Sequence, residues 1–394
     1  MLFRPNPTSG VPLYLQLMEQ VKHAVETGAL RPGEQLPGIR PLAEELVMNP
    51  NTVAKAYREL EHEGVIELRH GAGAFVAASA RAKKVTDKLR AGQAIVSDPL
   101  IIEAADLRKD YGHVEALRGL NLQVPVGSIF GFLGRNGAGK TTTIKVLLGM
   151  ARPTSGRVRV FDLPADVPEQ SVHIRRRTGF VSEEKDLYDS MTVEEIVRFT
   201  AAFYPRWRAD LEQRYARKFE LPPDRKVKAL SRGMRTKLAL LLALCRGADL
   251  LVLDEPTSGL DPAVAEEVLQ ALVAHVAGEG LTVFFSSHQI AEVDQIADRV
   301  AIVDHGRAVA GGLLEDLREG YRRIQLVFDG EAPAPVFQSP GIVRVGREGR
   351  VITVLTSSDA DRVLDEARLL NPVSVDIVPV SLKEIFLETV TAED

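Results

Sequence analysis

One cysteine, Cys245, stands in 394 residues. No intramolecular disulfide can form, and the chain suits a reducing compartment. Cys245 closes the run Leu238–Cys245, an apolar setting that fits a buried, inert thiol better than a reactive one. Long apolar runs are missing as well. Leu238–Cys245 is the most apolar stretch and falls far short of the ~20 residues that span a bilayer. Met1-Leu2-Phe3-Arg4-Pro5 shows no charged leader before an apolar core. The expected location is therefore cytosolic, with any contact at the inner face of a membrane made through a partner. A strong charge of either sign is absent too. With 49 Lys and Arg against 54 Asp and Glu, the formal net charge is −5, which excludes a generic polyanion binder. Residues up to Arg90 nevertheless carry about two more basic than acidic side chains. An excess that small is no sign of DNA binding by itself.

The length exceeds one ordinary core and suggests two or three domains. Residues 1–78 predict short helices followed by a hairpin. Tyr14, Leu17, Met18, Val21 and Val25 share one helical face, stopped by Gly28 and Pro32-Gly33. Ile39, Leu42, Ala43 and Leu46 form a second stripe. A third helix starts at Asn49-Pro50, a cap followed by proline at the first helical position, and buries Val53, Ala56, Tyr57 and Leu60 before Gly64. Val65–Arg69 and Ala74–Ala77 alternate as strands around His70-Gly71-Ala72-Gly73. Residues 79–99, rich in Ala, Lys and Arg, predict a linker. From Leu100 to Asp316 strands and helices alternate. The apolar strands Ile129–Leu133, Leu250–Leu253 and Thr282–Phe285 suggest a buried, mostly parallel sheet. Residues 317–394 hold strand-like segments (Arg323–Phe328, Val351–Leu355, Val373–Val378) and helices near Asp359–Leu370 and Leu382–Glu388, enough for a small α+β domain.

Gly134-Arg135-Asn136-Gly137-Ala138-Gly139-Lys140-Thr141 matches G-x-x-x-x-G-K-[ST] directly after an apolar strand. Glycines let backbone amides wrap phosphates without Cβ clashes, and the next helix aims its N-terminal dipole at them. A tight glycine turn without a ligand would not require Lys-Thr in that place. Gly134, Asn136, Gly137, Ala138, Gly139, Lys140, Thr141 and Thr142 are thus the candidate ATP contacts. Lys140 should reach the β- and γ-phosphates, and Thr141 should ligate Mg2+. Leu250–Glu255 is an apolar strand ending in two carboxylates, costly unless used. Asp254 suits a Mg2+ contact and Glu255 a base that polarises the attacking water.

With these motifs in place, residues 100–316 resemble the ATP-binding subunit of ABC transporters over their whole length. The resemblance places Tyr111 against adenine, with core packing as its alternative. Leu230-Ser231-Arg232-Gly233-Met234 matches the family signature LSGGQ in part, and implies that Ser231 and Gly233 contact the γ-phosphate held by a second copy. Ser258-Gly259-Leu260-Asp261 matches the D-loop, and His288 the switch histidine. Hydrolysis then needs a dimer. Two departures stand out. Arg232 replaces a glycine, and Glu183 replaces the glutamine that touches magnesium. Glutamate can ligate Mg2+ but adds charge beside the phosphates, which points to slow turnover.

Helices followed by a hairpin make a winged helix-turn-helix. Asn51, Thr52, Lys55 and Arg58 point away from its core, as recognition-helix side chains do; amphipathicity alone would equally describe a solvated face. Leu36-Pro37-Gly38-Ile39-Arg40-Pro41-Leu42-Ala43, Asn49–Tyr57 and Leu68–Gly73 resemble the GntR family of bacterial repressors, in particular its short YtrA-like branch. That resemblance implies phosphate and base contacts by Arg40, and major-groove contacts by Thr52 and Lys55; Asn51, outward at the start of the same helix, is a further candidate DNA contact. His70 and Gly71 would enter the minor groove of a palindromic operator. The expected architecture is an α/β chain. A P-loop NTPase domain of the ABC type is preceded by a winged helix-turn-helix domain and followed by a small α+β domain. The expected function is an ATP-hydrolysing, export-type ABC subunit fused to a transcription regulator, dimeric and paired with a separate permease. Pro379–Phe386 resembles the end of drug-export ATPase subunits. The alternative is a soluble ATP-responsive regulator with no transport role.

Overall fold

The computed structural model describes residues 3–6, 11–69, 73–77, 99–334 and 337–391. The first helices are α1 (Leu13–Glu26), α2 (Ile39–Leu46) and α3 (Pro50–His62), followed by the hairpin β1 (Ile66–Arg69) and β2 (Gly73–Val76). The hairpin runs in register from Ile66↔Val76 to Arg69↔Gly73. Asn49 caps α3, its Oδ1 accepting from the Asn51 amide at 2.8 Å, and Pro50 takes the first helical position. Leu17, Val21, Leu42, Val53, Ala56, Tyr57 and Leu60 are buried between the helices. Tyr57 satisfies its hydroxyl by donating to the Pro37 carbonyl at 2.8 Å. Of the expected linker 79–99, only Pro99 is among the described residues.

The central region contains more antiparallel structure than its sequence pattern predicts. β3 (Leu100–Tyr111), β4 (Val114–Pro125), β6 (Ser155–Val160) and β7 (Leu163–Pro164) form a four-stranded antiparallel sheet in the order β4-β3-β6-β7. Against it lies a six-stranded sheet of β8 (Thr178–Val181), β9 (Leu250–Asp254), β10 (Thr282–Ser287), β5 (Ile129–Gly134), β11 (Arg299–Asp304) and β12 (Arg307–Leu313). Its strands are parallel except β12, which runs antiparallel on the edge. Strand alternation divides the apolar side chains between two layers. Phe130, Phe132, Val252 and Phe284 pack with the antiparallel sheet and α4 (Lys140–Leu147). Leu251, Leu253, Val283 and Phe285 pack with the helices of the other face. Those include α8 (Arg232–Leu244) and α9 (Pro262–Glu279). The helices α5 (Pro168–Arg177), α6 (Val193–Ala201), α7 (Ala209–Lys218), α10 (Ile290–Ile296) and α11 (Leu314–Gly320) complete the cassette. Leu238–Cys245 lies in and just beyond α8, with Cys245 fully buried. Burial pushes its thiol up to about 12.

Beyond α11, β13 (Arg322–Val327), β14 (Ile342–Glu348), β15 (Val351–Thr356) and β16 (Ser374–Pro379) form an antiparallel sheet in the order β14-β15-β13-β16. Ile324, Leu326, Ile352 and Val354 pack there with α12 (Ala360–Arg368), giving a separate small core. β14 was not apparent from the sequence. The last helix, α13 (Leu382–Thr391), instead joins the cassette core through Leu382, Ile385 and Phe386.

Candidate ATP site and DNA-reading face

The phosphate loop follows β5 and opens α4, both ends fixed by buried side chains. Its glycines are required for two different reasons. Gly137 has φ +85° and open space where a Cβ would project, while Gly139 has φ +101° and a Cβ there would fall 2.7 Å from the Ala116 carbonyl oxygen. Gly306 closes the same junction, its amide donating to the Ala138 carbonyl at 3.1 Å. The loop frames a cavity of about 480 Å³ lined by Asn136, Gly137, Gly139, Lys140, Thr141, Thr142, Glu183, Glu255, Ser258 and His288. Val114, Glu115 and Ala116 form another part of its wall. No motif flagged those three, which reach the loop only because β4 folds across it.

At the ends of β9 and β10 the charges are held tightly. Asp254, Glu255 and Lys140 are each at most 6% exposed. The Ser286 hydroxyl donates to Asp254 Oδ1 at 2.6 Å and accepts from the Glu255 amide at 3.1 Å. Glu255 adopts φ +47°, an unfavourable backbone for a residue with a Cβ. Its surroundings impose that conformation. Lys185 Nζ donates to its carbonyl at 3.1 Å, and His288 Nδ1 lies 2.7 Å from its Oε2. Lys140 Nζ approaches Glu255 Oε1 to 3.2 Å as an ion pair, while donating to the Gly134 and Arg135 carbonyls at 2.9 and 3.1 Å. Glu255 Oε1 itself has no aligned hydrogen bond. Lys185, which sequence reasoning missed, is buried, and burial together with the nearby Arg232 charge lowers its pKa.

Other expected contacts lie elsewhere. Tyr111 ends β3, opposite Val114, 47% exposed with Lys109 Nζ 4.7 Å over its ring. That exposure removes core packing as its explanation. Ala138 is buried in the loop's packing. Ser231 and Gly233 open α8 away from the cavity wall, with Ser231 Oγ accepting from the Met234 amide at 3.2 Å. The Arg232 guanidinium packs on the D-loop, where a Cβ at Gly259 would meet it at 2.4 Å.

On the winged helix, Arg40 is exposed. His70 and Gly71 lie outside the described residues. Asn51, Thr52 and Lys55 turn away from the core of their own module and line a cleft against the cassette, with Asn51 still exposed and Thr52 and Lys55 half-buried.

A glycine-rich loop between a buried parallel strand and a helix, facing strand-end carboxylates, defines a P-loop ATPase. A winged helix-turn-helix stands in front of it. The family model for "ABC transporter" matches residues 117–258, and that for "Bacterial regulatory proteins, gntR family" matches residues 13–76. The chain is 36% identical over 219 residues to the bacitracin transport ATP-binding protein BcrA of Bacillus licheniformis, covering 55% of this chain and 69% of that one. It is 26% identical over 287 residues to the ABC transporter ATP-binding protein YtrB of Bacillus subtilis (strain 168), covering 73% and 97%. A solved ATP-binding subunit of an ABC transporter superposes with a TM-score of 0.50 at 31% identity, covering 56% of this chain and 92% of that one. The chain belongs to the ATP-binding subunits of ABC transporters, with a gntR-family regulatory domain fused ahead of the cassette. It binds and hydrolyses ATP. Among the described residues no helix is long and apolar enough to cross a membrane.

Proposed function

We propose that this chain energises an exporter as a symmetric homodimer beside a separate membrane-spanning permease, while its winged helix reads a palindromic operator. The observation that carries the catalytic part is the Lys140–Glu255–His288 cluster at the rim of the loop-framed cavity. Amides of residues 136–139 and the N-terminus of α4 cradle the phosphates, and Lys140 neutralises the β- and γ-oxygens. Thr141, Glu183 and Asp254 offer hard oxygen donors of the kind Mg2+ prefers, and Thr141 and Glu183 line the cavity. Bound Mg2+ supplies charge neutralisation along the triphosphate. Glu255 takes the proton of the water that attacks the γ-phosphorus, through the oxygen left without an aligned hydrogen bond. His288 orients Glu255 by holding its other oxygen. Tyr111 stacks on adenine. Ser231 and Gly233 sit outside their own cavity and reach the nucleotide of a second copy, so the two chains pair head to tail.

Arg40, Asn51, Thr52, Lys55, His70 and Gly71 contact DNA in this proposal, and dimer pairing matches the twofold symmetry of an operator. A transport role is favoured by the relative named for bacitracin transport, and its outward direction by the segment Pro379–Phe386, which resembles the end of drug-export ATPase subunits. The test has two parts. Glu255→Gln should slow phosphate release by about 10²–10⁴-fold with nucleotide binding kept; an unchanged rate removes Glu255 as the base. Isolation in mild detergent should recover a polytopic membrane protein with the chain. Its consistent absence would favour a soluble, ATP-responsive regulator.

A further inference from the structure

The face of α3 assigned to DNA is the face on which the winged helix meets the cassette. Asn51 Nδ2 donates to Asp298 Oδ2 at 3.1 Å. Lys55 Nζ lies 2.5 Å from Glu315 Oε2 and 3.4 Å from Glu319 Oε1, and 4.0 Å over the Tyr14 ring. The Lys55 and Glu315 side chains are each 23% exposed, so this pair is largely withdrawn from water. Burial alone would lower the Lys55 pKa, but the bond and charge of Glu315 reverse that and raise it. Asn49 Nδ2 donates to the Ile296 carbonyl at 3.0 Å in a buried contact. Thr52 and Arg58 line the same interdomain cleft, of about 340 Å³. A second attachment holds the head, with α2 packed on α9 and Arg214 3.4 Å from Glu44.

The chemistry of this contact matches that of a DNA surface. An ammonium and an amide donor on α3 are satisfied by carboxylate oxygens, where a duplex would offer phosphate oxygens and base acceptors. Glu315 and Glu319 stand one turn apart on α11, so both carboxylates reach the one ammonium. We propose that Asp298, Glu315 and Glu319 occupy the DNA-reading face of α3, so that the cassette and duplex DNA compete for a single surface. Arg40 remains exposed in this arrangement, but base reading by α3 requires undocking. The inference rests on the DNA-binding role proposed above. The surface also sits close to the ATP machinery in the chain. Ile296 and Asp298 close and follow α10, the seven-residue helix that begins two residues after His288.

The test uses the full chain with Glu315→Gln and Glu319→Gln together. A second variant carries the same charge change on the small C-terminal module, Glu348→Gln with Asp361→Asn. The probe is a fluorescein-labelled pool of 30-base-pair random-sequence duplexes at fixed low salt, read by anisotropy. The α11 variant should bind about tenfold tighter or more than wild type, the control about as wild type, and amide exchange in α3 should rise only in the α11 variant. Unchanged ATP hydrolysis would verify folding. If the double variant folds poorly, Glu319→Gln alone, at the more exposed carboxylate, should give a smaller gain in the same direction. Equal binding by wild type and the α11 variant would overturn the competition and leave DNA binding standing. An equal gain in the control would overturn it as a plain charge effect. Failure of all the chains to bind any duplex would remove the DNA-binding role itself, and the competition with it.

Discussion

Asn49 does two jobs with one carboxamide, and they can be separated. It is 1% exposed. Its Oδ1 caps α3 at 2.8 Å from the Asn51 amide, and its Nδ2 bonds the Ile296 carbonyl of the cassette at 3.0 Å. Asn49→Ser keeps an N-cap acceptor but removes the donor across the interface. Asn49→Ala removes both. Loss of the cap costs about 1 kcal/mol. A buried carbonyl left unpaired costs about 1–3 kcal/mol, and undocking would restore its bond to water. At about 1.4 kcal/mol per tenfold, the serine variant should therefore shift docking by roughly 5- to 150-fold toward the open form. Amide exchange by mass spectrometry reads this directly. The serine variant should accelerate exchange across the α3 face that meets the cassette, with the cassette core unchanged. The alanine variant should add faster exchange in the first turn of α3. Wild-type exchange in the serine variant would show that the bond to Ile296 holds nothing together. Equal behaviour of serine and alanine variants would refute the cap's contribution.

Other outcomes follow from single sites. Lys140→Ala removes the one ammonium that lines the cavity among the described residues and should weaken nucleotide binding about 100-fold, as two charge-assisted phosphate bonds imply; calorimetric titration with ATP would refute this by showing wild-type affinity. Asp298 is pushed up to about 6 from 3.8, chiefly by burial. The folded chain then holds a proton between about pH 4 and 6 that the unfolded chain releases, so this group's contribution to stability falls as pH rises through that window. Asp298→Asn should melt higher than wild type above pH 6, by up to about 2–3 kcal/mol, with the gap closing toward pH 4; a gap independent of pH would contradict the burial of a charge there. Cys245, fully buried with its thiol pushed up to about 12, should resist thiol reagents at pH 8 and react once denaturant unfolds the cassette. Rapid labelling of the native chain would place that thiol elsewhere.

Much of the architecture was legible because its signals are local. Asn49-Pro50 marks the start of α3, and the buried strands β5, β9 and β10 lie within a residue or two of the apolar runs that announce them. The antiparallel sheet was not seen. β3 and β4 pair through several register shifts, which interrupt the two-residue alternation that reveals a strand. β14 escaped for a similar reason, since most of its side chains are half-buried or exposed and leave no apolar stripe. Within the ATP site, the phosphate loop and Glu255 are legible from local motifs and Glu183 and His288 only through the family resemblance, and they converge on one cavity. Lys185 and Ser286 were missed in their roles because each acts on Glu255 or Asp254 from a distant segment.

The sequence alone determined the chemistry available to this chain. A phosphate loop after a buried strand, two carboxylates at another strand's end and a capped helix with polar donors each depend on residues close together in the chain. Tertiary structure decided where those groups face. The left-handed backbone of Glu255 is held by Ser286 and Lys185, and Asn51 and Lys55 of α3 meet Asp298, Glu315 and Glu319 of the cassette. The pattern of α3 shows only that Asn51 and Lys55 lie off its core face. Their partners stand about 250 residues away in sequence, and no periodicity within one helix encodes which distant surface will cover it.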